Sequence, residues 1–172
     1  NDRHNYKLNQ LSNLSADINK KALAIIADNN TKTYGETDPE FTVSYEGFAD
    51  VENKNNNDFV GTLTFNRGVG ENVGSYTITP TGLSSNNYDI SYQPGTLEII
   101  QKVITVTGDE KSKYHGTEDP ELTYKITSGS LEEGDSLNGE LRRDVGEEAG
   151  TYSINKGTLA NSNYDINFVS AD

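Results

Sequence analysis

The sequence predicts an all-β fold built from two small β-sandwich domains in tandem. Three observations support this prediction: the chain repeats itself, apolar and polar residues alternate within each repeat, and turn-forming residues separate the alternating segments. A period of two places apolar side chains on one face of a strand. Short strands divided by regular turn signals are typical of β-sandwiches.

The two repeats are visible by direct alignment. "DPEFTVSY" pairs with "DPELTYKI", "VGSYTI" with "AGTYSI", and "NYDI" closes both copies in the same order. Repetition of this kind indicates tandem structural units that contact their neighbours. We therefore predict a first repeat at 21–101 and a second at 102–172, with 1–20 as the tail of a preceding repeat, on the strength of its echo "NYKL".

Each strand of the first repeat is predicted from its alternating apolar residues. In chain order these sets are Leu23, Ile25 and Ala27; Phe41, Val43 and Tyr45; Leu63 and Phe65; Tyr76 and Ile78; Tyr88, Ile90 and Tyr92; Leu97 and Ile99. Segments such as "DNNTKTYGETDP" and "NRGVGENVG" lie between them. Their Asn, Gly and Asp residues tolerate left-handed backbone or bond their own backbone, so we expect turns there.

A repeated phrase refines the sandwich to an immunoglobulin-like one. The pattern E-x-x-G-x-Y-x-I occurs at 71–78 and at 147–154, and it resembles the corner of immunoglobulin-like domains. The rings of Tyr76 and Tyr152 should pack inward while their hydroxyls bond backbone. The alternative is a β-grasp-like repeat, although no segment shows a 3.6-residue period long enough for its helix.

The second repeat ends differently from the first. "GTLEI" follows "NYDI" in the first copy and would form its last strand, but the second copy shows no such segment before residue 172. We therefore expect the second repeat to lack its last strand and to present an open edge. Because unpaired edges recruit strands, the segment at 5–18 is expected to pack on the tandem or to pair with such an edge.

Composition excludes several classes of function. The chain has 14 Lys plus Arg against 27 Asp plus Glu, a formal net charge of −13. This charge repels phosphate backbones, so nucleic acid is not an expected partner. No apolar run approaches the roughly 20 residues of a membrane helix, so no membrane insertion is expected. The absence of Cys is common in bacterial surface proteins.

The repeated turns "KTYGETDPE" and "KYHGTEDPE" are candidate calcium sites, because Ca²⁺ takes six to eight oxygen ligands. The candidate ligands are Glu36, Asp38, Glu118 and Asp119. The competing interpretation is a structural turn in which Gly35 and Gly116 supply positive φ and Asp-Pro begins the next strand. It is the stronger one, since the D-x-D-x-D-G spacing of known calcium loops is absent.

Aromatic residues beside these turns are candidate ligand contacts. Tyr34 and Tyr114 lie outside the alternating sets, so they could bind a sugar or cover the end of the core. His115 is interpreted as an extra residue that the first copy lacks. The only other histidine is His4, and a lone loop histidine is a poor candidate for a catalytic base. No enzyme activity and no cofactor are expected.

Taken together, these phrases resemble the MBG domain of the YGX type. The resemblance rests on the run "ITVTGDEKSKY", Tyr-Gly followed by Asp-Pro, "G-x-Y-x-I" and "NYDI", and it covers 21–172. Tyr34 and Gly35 match the Tyr-Gly of the family directly, whereas His115 separates Tyr114 from Gly116. The resemblance implies tandem arrays in large, mostly bacterial secreted or cell-surface proteins, including adhesins, and no catalytic residues.

We therefore expect a non-catalytic, extracellular repeat module that acts as a semi-rigid stalk and contacts neighbouring repeats. The junction "TLEIIQKVITVTG" favours this because no flexible Gly/Ser linker separates the two copies. One form of the hypothesis adds direct contact with host glycans, mucin or matrix protein. The alternatives are an adhesive array stiffened by calcium and an accessory module of a large secreted enzyme.

Overall fold

The computed structural model describes residues 16–49 and 59–171, and every regular element in these ranges is a β-strand. The prediction of an all-β fold is therefore confirmed. Within the described ranges, no helix is long and apolar enough to cross a membrane. In chain order the strands are β1 (Lys21–Ala27), β2 (Asn30–Thr33), β3 (Val43–Glu46), β4 (Phe59–Arg67), β5 (Gly74–Ser85), β6 (Tyr88–Gln93), β7 (Gly95–Ile100), β8 (Lys102–Gly108), β9 (Tyr124–Ser128), β10 (Arg142–Arg143), β11 (Ile154–Asn155) and β12 (Tyr164–Val169).

The first unit, residues 21–101, is a sandwich of two sheets. One sheet has the strand order β3-β1-β6 and the other has the order β2-β7-β5-β4. Strand β1 runs parallel to β6 and antiparallel to β3, while β7 runs parallel to β2 and antiparallel to β5. The last strand of the unit is thus an inner strand with partners on both sides.

The core of the first unit is formed by the inward residues of these strands. Ile25, Ile78 and Leu97 are each 0% exposed, and Leu23 and Ile99 are each 1% exposed. The alternating sets that predict the strands therefore include the residues that fill the core. Burying one such side chain contributes about 1.5–3 kcal/mol to the stability of the fold. Strand β7 buries two of them, Leu97 and Ile99.

The second unit, residues 102–171, repeats the first sheet of its neighbour. Its order is β12-β8-β9, with β8 parallel to β12 and antiparallel to β9. Lys21 lies opposite Tyr88 in the first unit, and Lys102 lies opposite Tyr164 in the second. The buried cluster of this unit consists of Ile104, Val106, Leu159 and Tyr164.

The second sheet is where the two units differ. In the second unit it is reduced to the short antiparallel pair β10 and β11, at the positions of β4 and β5. No strand equivalent to β2 or to β7 occurs among the described residues of this unit. Within residues 102–171, the side of the core that β7 covers in the first unit therefore has no equivalent strand.

Strand β2 contradicts one of the turns that the sequence predicts. It lies inside "DNNTKTYGETDP", which composition predicts to be a turn throughout, and this prediction is wrong for its first part. The four residues of β2 are Asn-Thr-Lys-Thr, so apolar alternation could not reveal them. They extend because β7 pairs with them in parallel, and this long-range pairing overrides the local preference for a turn.

The immunoglobulin-like corner is confirmed in both units. The hydroxyl of Tyr76 donates to the backbone carbonyl of Asn72 at 2.7 Å, and the hydroxyl of Tyr152 donates to that of Glu148 at 2.9 Å. Each bond spans four residues and fixes the loop that precedes the strand. The small β-sandwich prediction is confirmed with it, because each corner leads into the strand that carries Ile78 or Ile154 to the core.

The predicted tail of a preceding repeat lies mostly outside the described residues. Of 1–20, only residues 16–20 are described, and none of these forms a strand. Ile18 is 98% exposed, while the amino group of Lys20 donates to the carbonyl of Ser85 at 2.8 Å. The predicted pairing of residues 5–18 with a sheet edge stays a prediction.

Candidate functional site: two charge clusters and the joint between the units

Each unit contains a closed ring of four charged side chains, which we call the first and second charge clusters. The first consists of Lys32, Asp38, Arg67 and Glu71. The amino group of Lys32 lies 2.7 Å from Asp38 and 2.6 Å from Glu71. The guanidinium of Arg67 lies 3.0 Å from Asp38 and 3.2 Å from Glu71. Each cation thus contacts both carboxylates.

The second cluster reproduces this ring with Lys113, Asp119, Arg143 and Glu147. Lys113 lies 2.7 Å from each carboxylate, and Arg143 lies 2.9 Å from Asp119 and 2.5 Å from Glu147. All four residue types are the same in both units, in the same order. A network of this kind is more effective than isolated surface ion pairs, which contribute only about 0–1 kcal/mol each.

Backbone and ring contacts hold the two arginines in place. Arg67 donates through Nη1 to the carbonyl of Gly68 at 2.8 Å, and its guanidinium lies 4.7 Å from the ring centroid of Tyr76. The guanidinium of Arg143 lies 5.5 Å from the ring centroid of Tyr152. Each corner tyrosine therefore makes a backbone hydrogen bond through its hydroxyl and a cation–π contact through its ring. Together these contacts couple the charge cluster to the core of its unit.

Hydrogen bonds within the clusters shift the pKa of several of their members. Burial alone would lower the pKa of Lys32, but its hydrogen bonds to Asp38 and Glu71 outweigh that effect and raise it. Hydrogen bonds from Arg143 and Lys113 lower the pKa of both carboxylates in the second cluster, Asp119 and Glu147. These shifts favour the charged forms of Lys32, Asp119 and Glu147, as their ion pairs require.

The four candidate calcium ligands have different partners in the structure. Asp38 and Asp119 belong to the two charge clusters, where Lys and Arg occupy their oxygens. Glu36 accepts a hydrogen bond from the amide of Thr33 at 2.8 Å, and Glu118 is exposed. Among the described residues, no three His, Cys, Asp or Glu side chains are grouped as a metal site. Calcium binding stays a prediction, and any ion would compete with these pairs.

Tyr34 lies at the contact between the two units, which we call the joint. Its hydroxyl donates to Asp135 at 2.9 Å, and the hydroxyl of Tyr164 donates to the same carboxylate oxygen at 2.6 Å. The rings of Tyr34 and Tyr164 meet edge to face, with centroids 5.5 Å apart. Tyr34 packs against the buried clusters of both units. It therefore joins two cores with one side chain.

Polar contacts extend the joint on one side. The side-chain carbonyl of Asn163 accepts from the amide of Val73 at 3.0 Å, and its amide group donates to Asn72 at 3.0 Å. Asn72 also accepts the corner hydrogen bond of the first unit. Asn163 is itself only 8% exposed. The joint is thus built from specific, buried contacts and not from loose surface contact.

Burial determines the ionisation of the joint tyrosines. It raises the pKa of Tyr34, with a further contribution from the hydrogen bond to Asp135. The same two causes, in the same order, raise the pKa of Tyr164 to about 12. Both phenols remain protonated donors over the ordinary pH range. Their shared acceptor then stays hydrogen-bonded on two sides.

Tyr114 is placed differently from Tyr34, and His115 is not an extra residue. Two residues separate the lysine from the glycine in each turn, so His115 stands where Tyr34 stands. The turns close alike, since Thr117 donates to the carbonyl of Tyr114 at 3.1 Å as its counterpart does in the first unit. Tyr114 is 85% exposed. A ligand contact by Tyr114 or Tyr34 stays a prediction, although the hydroxyl of Tyr34 already bonds Asp135.

Sequence reasoning missed the charge clusters and the joint, although a signal for the clusters was present. The aligned segments "NRGVGENVG" and "RRDVGEEAG" share the arginine and the glutamate, and the two turns share the lysine and the aspartate. Identical charges at matched positions of a repeat could have suggested a ring of ion pairs. No comparable signal marks Asp135, because its partner Tyr34 lies in the other unit.

Comparison with known families gives one result. A family model described as MBG domain (YGX type) matches the chain twice, over residues 23–98 and 104–172. These matches confirm the tandem repeat, and each contains one complete charge cluster. No curated protein and no solved structure matches the chain.

Proposed function

Because the chain belongs to the MBG domain family of the YGX type, we propose that its two units act as a semi-rigid, non-catalytic module of a secreted or cell-surface, adhesin-like protein. The module would set the distance and direction between the parts of that protein. In this proposal the ion pairs of the two charge clusters stabilise the units that contain them. Contact with glycans, mucin or matrix stays a separate prediction.

The joint is the observation that carries the proposal. Tyr34 crosses from one unit to the other and shares the carboxylate of Asp135 with Tyr164. A hydrogen bond to a charged group contributes about 1.5–3 kcal/mol when it is well formed. Such a contact would restrict bending, because a rotation that separates Tyr34 from Asp135 loses this hydrogen bond.

The connection between the units supports the same conclusion. Gln101 alone separates β7 from β8, and its side chain donates to the carbonyls of Ser162 at 3.1 Å and Tyr164 at 3.3 Å. A linker of one residue leaves few accessible orientations. The fixed ion pairs and the net charge of −13 also suit a solvent-facing structural element.

The test measures the distribution of distances between the units. The chain has no Cys, so spin labels can be attached at Asp89→Cys and Asp165→Cys, which are exposed and equivalent positions of β6 and β12. Double electron–electron resonance should give one narrow distance. In the Tyr34→Ala variant we expect a broad distribution, because the joint loses its shared hydrogen bond and its ring contact.

Tyr114→Ala is the matched control, since it removes the exposed tyrosine of the equivalent turn. Its distribution should stay narrow. A broad distribution in the doubly labelled chain that keeps Tyr34 would overturn the proposal of a semi-rigid module. Equal widths with and without Tyr34→Ala would show that the joint does not set the stiffness.

A further inference from the structure

Two segments of the first unit lie side by side across both of its sheets. The first segment spans 21–33 and contains β1 and β2, and the second spans 88–100 and contains β6 and β7. Strand β1 pairs with β6 in parallel, and β2 pairs with β7 in parallel. Partners are 67 residues apart in both sheets, as Asn30 and Leu97 are. One register is therefore kept throughout, and we call these paired segments the parallel clamp.

Further hydrogen bonds continue the clamp where the strands are interrupted or end. At the crossing from one sheet to the other, the side-chain carbonyl of Asn29 accepts from the amide of Thr96 at 2.8 Å, in the same register. Beyond the end of β2, the amide of Tyr34 donates to the carbonyl of Ile100 at 2.9 Å. The two segments are thus bonded to each other in both sheets and at the crossing between them.

The inner side of the clamp is covered by the core. Leu23 and Ile25 of the first segment are 1% and 0% exposed, and Leu97 and Ile99 of the second are 0% and 1% exposed. A backbone hydrogen bond beside such side chains is not readily replaced by a bond to water when it opens. The clamp is therefore resistant to the gradual entry of water.

The direction of the two segments determines how tension along the chain would act on them. Tension enters the unit at Lys21, where the first segment begins, and leaves it at Ile100, where the second segment ends. Because the segments are parallel, these two points lie at opposite ends of the clamp. The segments can separate only by sliding past each other, so all the bonds between them bear the load together.

The second unit repeats the part of the clamp that lies in the first sheet. Strands β8 and β12 are parallel, with Lys102 opposite Tyr164. The amide of Lys102 donates to the carbonyl of Asn163 at 3.0 Å, as the amide of Lys21 donates to that of Asn87 at 3.0 Å. Parallel pairing of the first strand with a late strand is therefore a feature of both units.

We propose that the parallel clamp makes the first unit a load-bearing element that resists tension along the chain. Its strength depends on direction, because a lengthwise pull meets the whole clamp, whereas a pull across an antiparallel pair meets one bond at a time. The first charge cluster reinforces the clamp, since Lys32 on β2 binds Asp38 and Glu71, which lie outside both segments. This role does not depend on the proposed function, which concerns bending between the units and not stretching of one unit.

Single-molecule force spectroscopy on the full chain tests this role. The chain has no Cys, so DNA handles can be attached at Asn19→Cys and Val103→Cys, two exposed positions just outside the clamp. The load then passes lengthwise through the first unit and bypasses most of the second. Unfolding of residues 21–100 releases up to about 280 Å of extended chain, and this length identifies the event.

A second pair of handles pulls the same unit crosswise. Val60→Cys and Ser84→Cys are exposed and lie opposite each other near the open end of the antiparallel pair β4 and β5. Unfolding under force is governed by the unfolding rate, so lifetimes at one constant force compare the two directions. We expect the first lengthening step to take at least about tenfold longer with the lengthwise handles. Equal lifetimes in the two directions would overturn the proposal.

A substitution at the crossing tests the clamp itself. Asn29→Ala removes the bond to Thr96, and we expect it to shorten the lengthwise lifetime at least about threefold while the crosswise lifetime stays the same. Asn86→Ala is the matched control, since it removes an exposed asparagine that lies outside both segments, and it should change neither lifetime. An equal effect of Asn29→Ala in both directions would show that it acts on general stability, which would contradict the proposal.

Discussion

Lys32 and Lys113 make the same two ion pairs but meet different amounts of solvent. The side chain of Lys32 is 4% exposed, whereas that of Lys113 is 21% exposed. An ammonium group taken out of water depends on its partners more strongly than an exposed one. The two units therefore provide an internal comparison of one network in two environments.

We predict that Lys32→Met destabilises the chain more than Lys113→Met. Removal of Lys32 leaves Asp38, whose side chain is 32% exposed, and Glu71 with Arg67 as their cation in this cluster. We expect a loss of about 2 kcal/mol in unfolding free energy. Lys113→Met should have a smaller effect, because water can replace the lost partner. Urea unfolding of both variants measures the difference, and equal losses would contradict it.

Tyr164, which donates to Asp135 in the joint, makes the stability of the folded chain depend on pH above about pH 10. Burial, with help from Asp135, raises the pKa of Tyr164 from 10.0 to about 12. The folded state thus holds this proton more tightly than the unfolded state does. The resulting stability is complete below about pH 10 and is lost as the pH rises towards about 12. No corresponding loss from this residue is expected between pH 5 and pH 9.

We therefore predict that the urea midpoint falls between pH 9 and pH 11.5, and that it falls less in Tyr164→Phe. The variant has no phenol to ionise at this position, so its remaining decline reports the other groups, including Tyr34. Measurement of both midpoints in the same buffers gives the contribution of Tyr164. An identical decline in the two proteins would show that its raised pKa does not affect stability.

At the scale of elements, a close backbone crossing sets the register of β4 and β5. Gly61 has φ +102°, and a Cβ there would overlap the carbonyl of Gly82 on the facing strand. The second unit repeats this approach, since Gly139 has φ +97° and faces the carbonyl of Thr158. A side chain at either position would need both a left-handed backbone and space that the facing backbone occupies.

We predict that Gly139→Ala destabilises the second unit by about 3 kcal/mol, compared with about 1 kcal/mol for Gly116→Ala. Both glycines have positive φ, +97° and +79°, but a Cβ at Gly116 would meet nothing within 4 Å. The comparison therefore separates backbone strain from steric overlap. Thermal unfolding measures it, and equal effects would mean that the facing backbone moves away from Gly139 without cost.

The same elements show what the sequence could and could not predict. Alternation identified β1, β6 and β7 because half of each strand faces a core. It could not identify β2, whose residues are all polar and whose strand conformation depends on β7. The charge clusters were not predicted for a related reason, since Lys32 and Glu71 come into contact only in the folded chain. Local patterns reveal burial, whereas pairing between distant segments is a property of the fold.

At the scale of the whole molecule, the joint makes the stability of one unit depend on the other. Tyr34 belongs to the first unit, yet it packs on the core cluster of the second and bonds Asp135. In tandem repeats the interface between neighbours adds a term to the stability of each unit. Unfolding of the second unit therefore removes contacts that stabilise the first.

We predict that Gly139→Ala, a change confined to the second unit, also lowers the stability of the first unit. About 1 kcal/mol should pass through the joint, comparable with its aromatic pair and one hydrogen bond. Native-state hydrogen exchange measures this at the amides of β1 and β5, which lie in the first unit. In a chain that carries Tyr34→Ala, Gly139→Ala should not change the exchange of those amides. In a chain that carries Tyr114→Ala, it should still increase their exchange. Transmission that persists without Tyr34 would place the coupling in the one-residue linker at Gln101 and not in the joint.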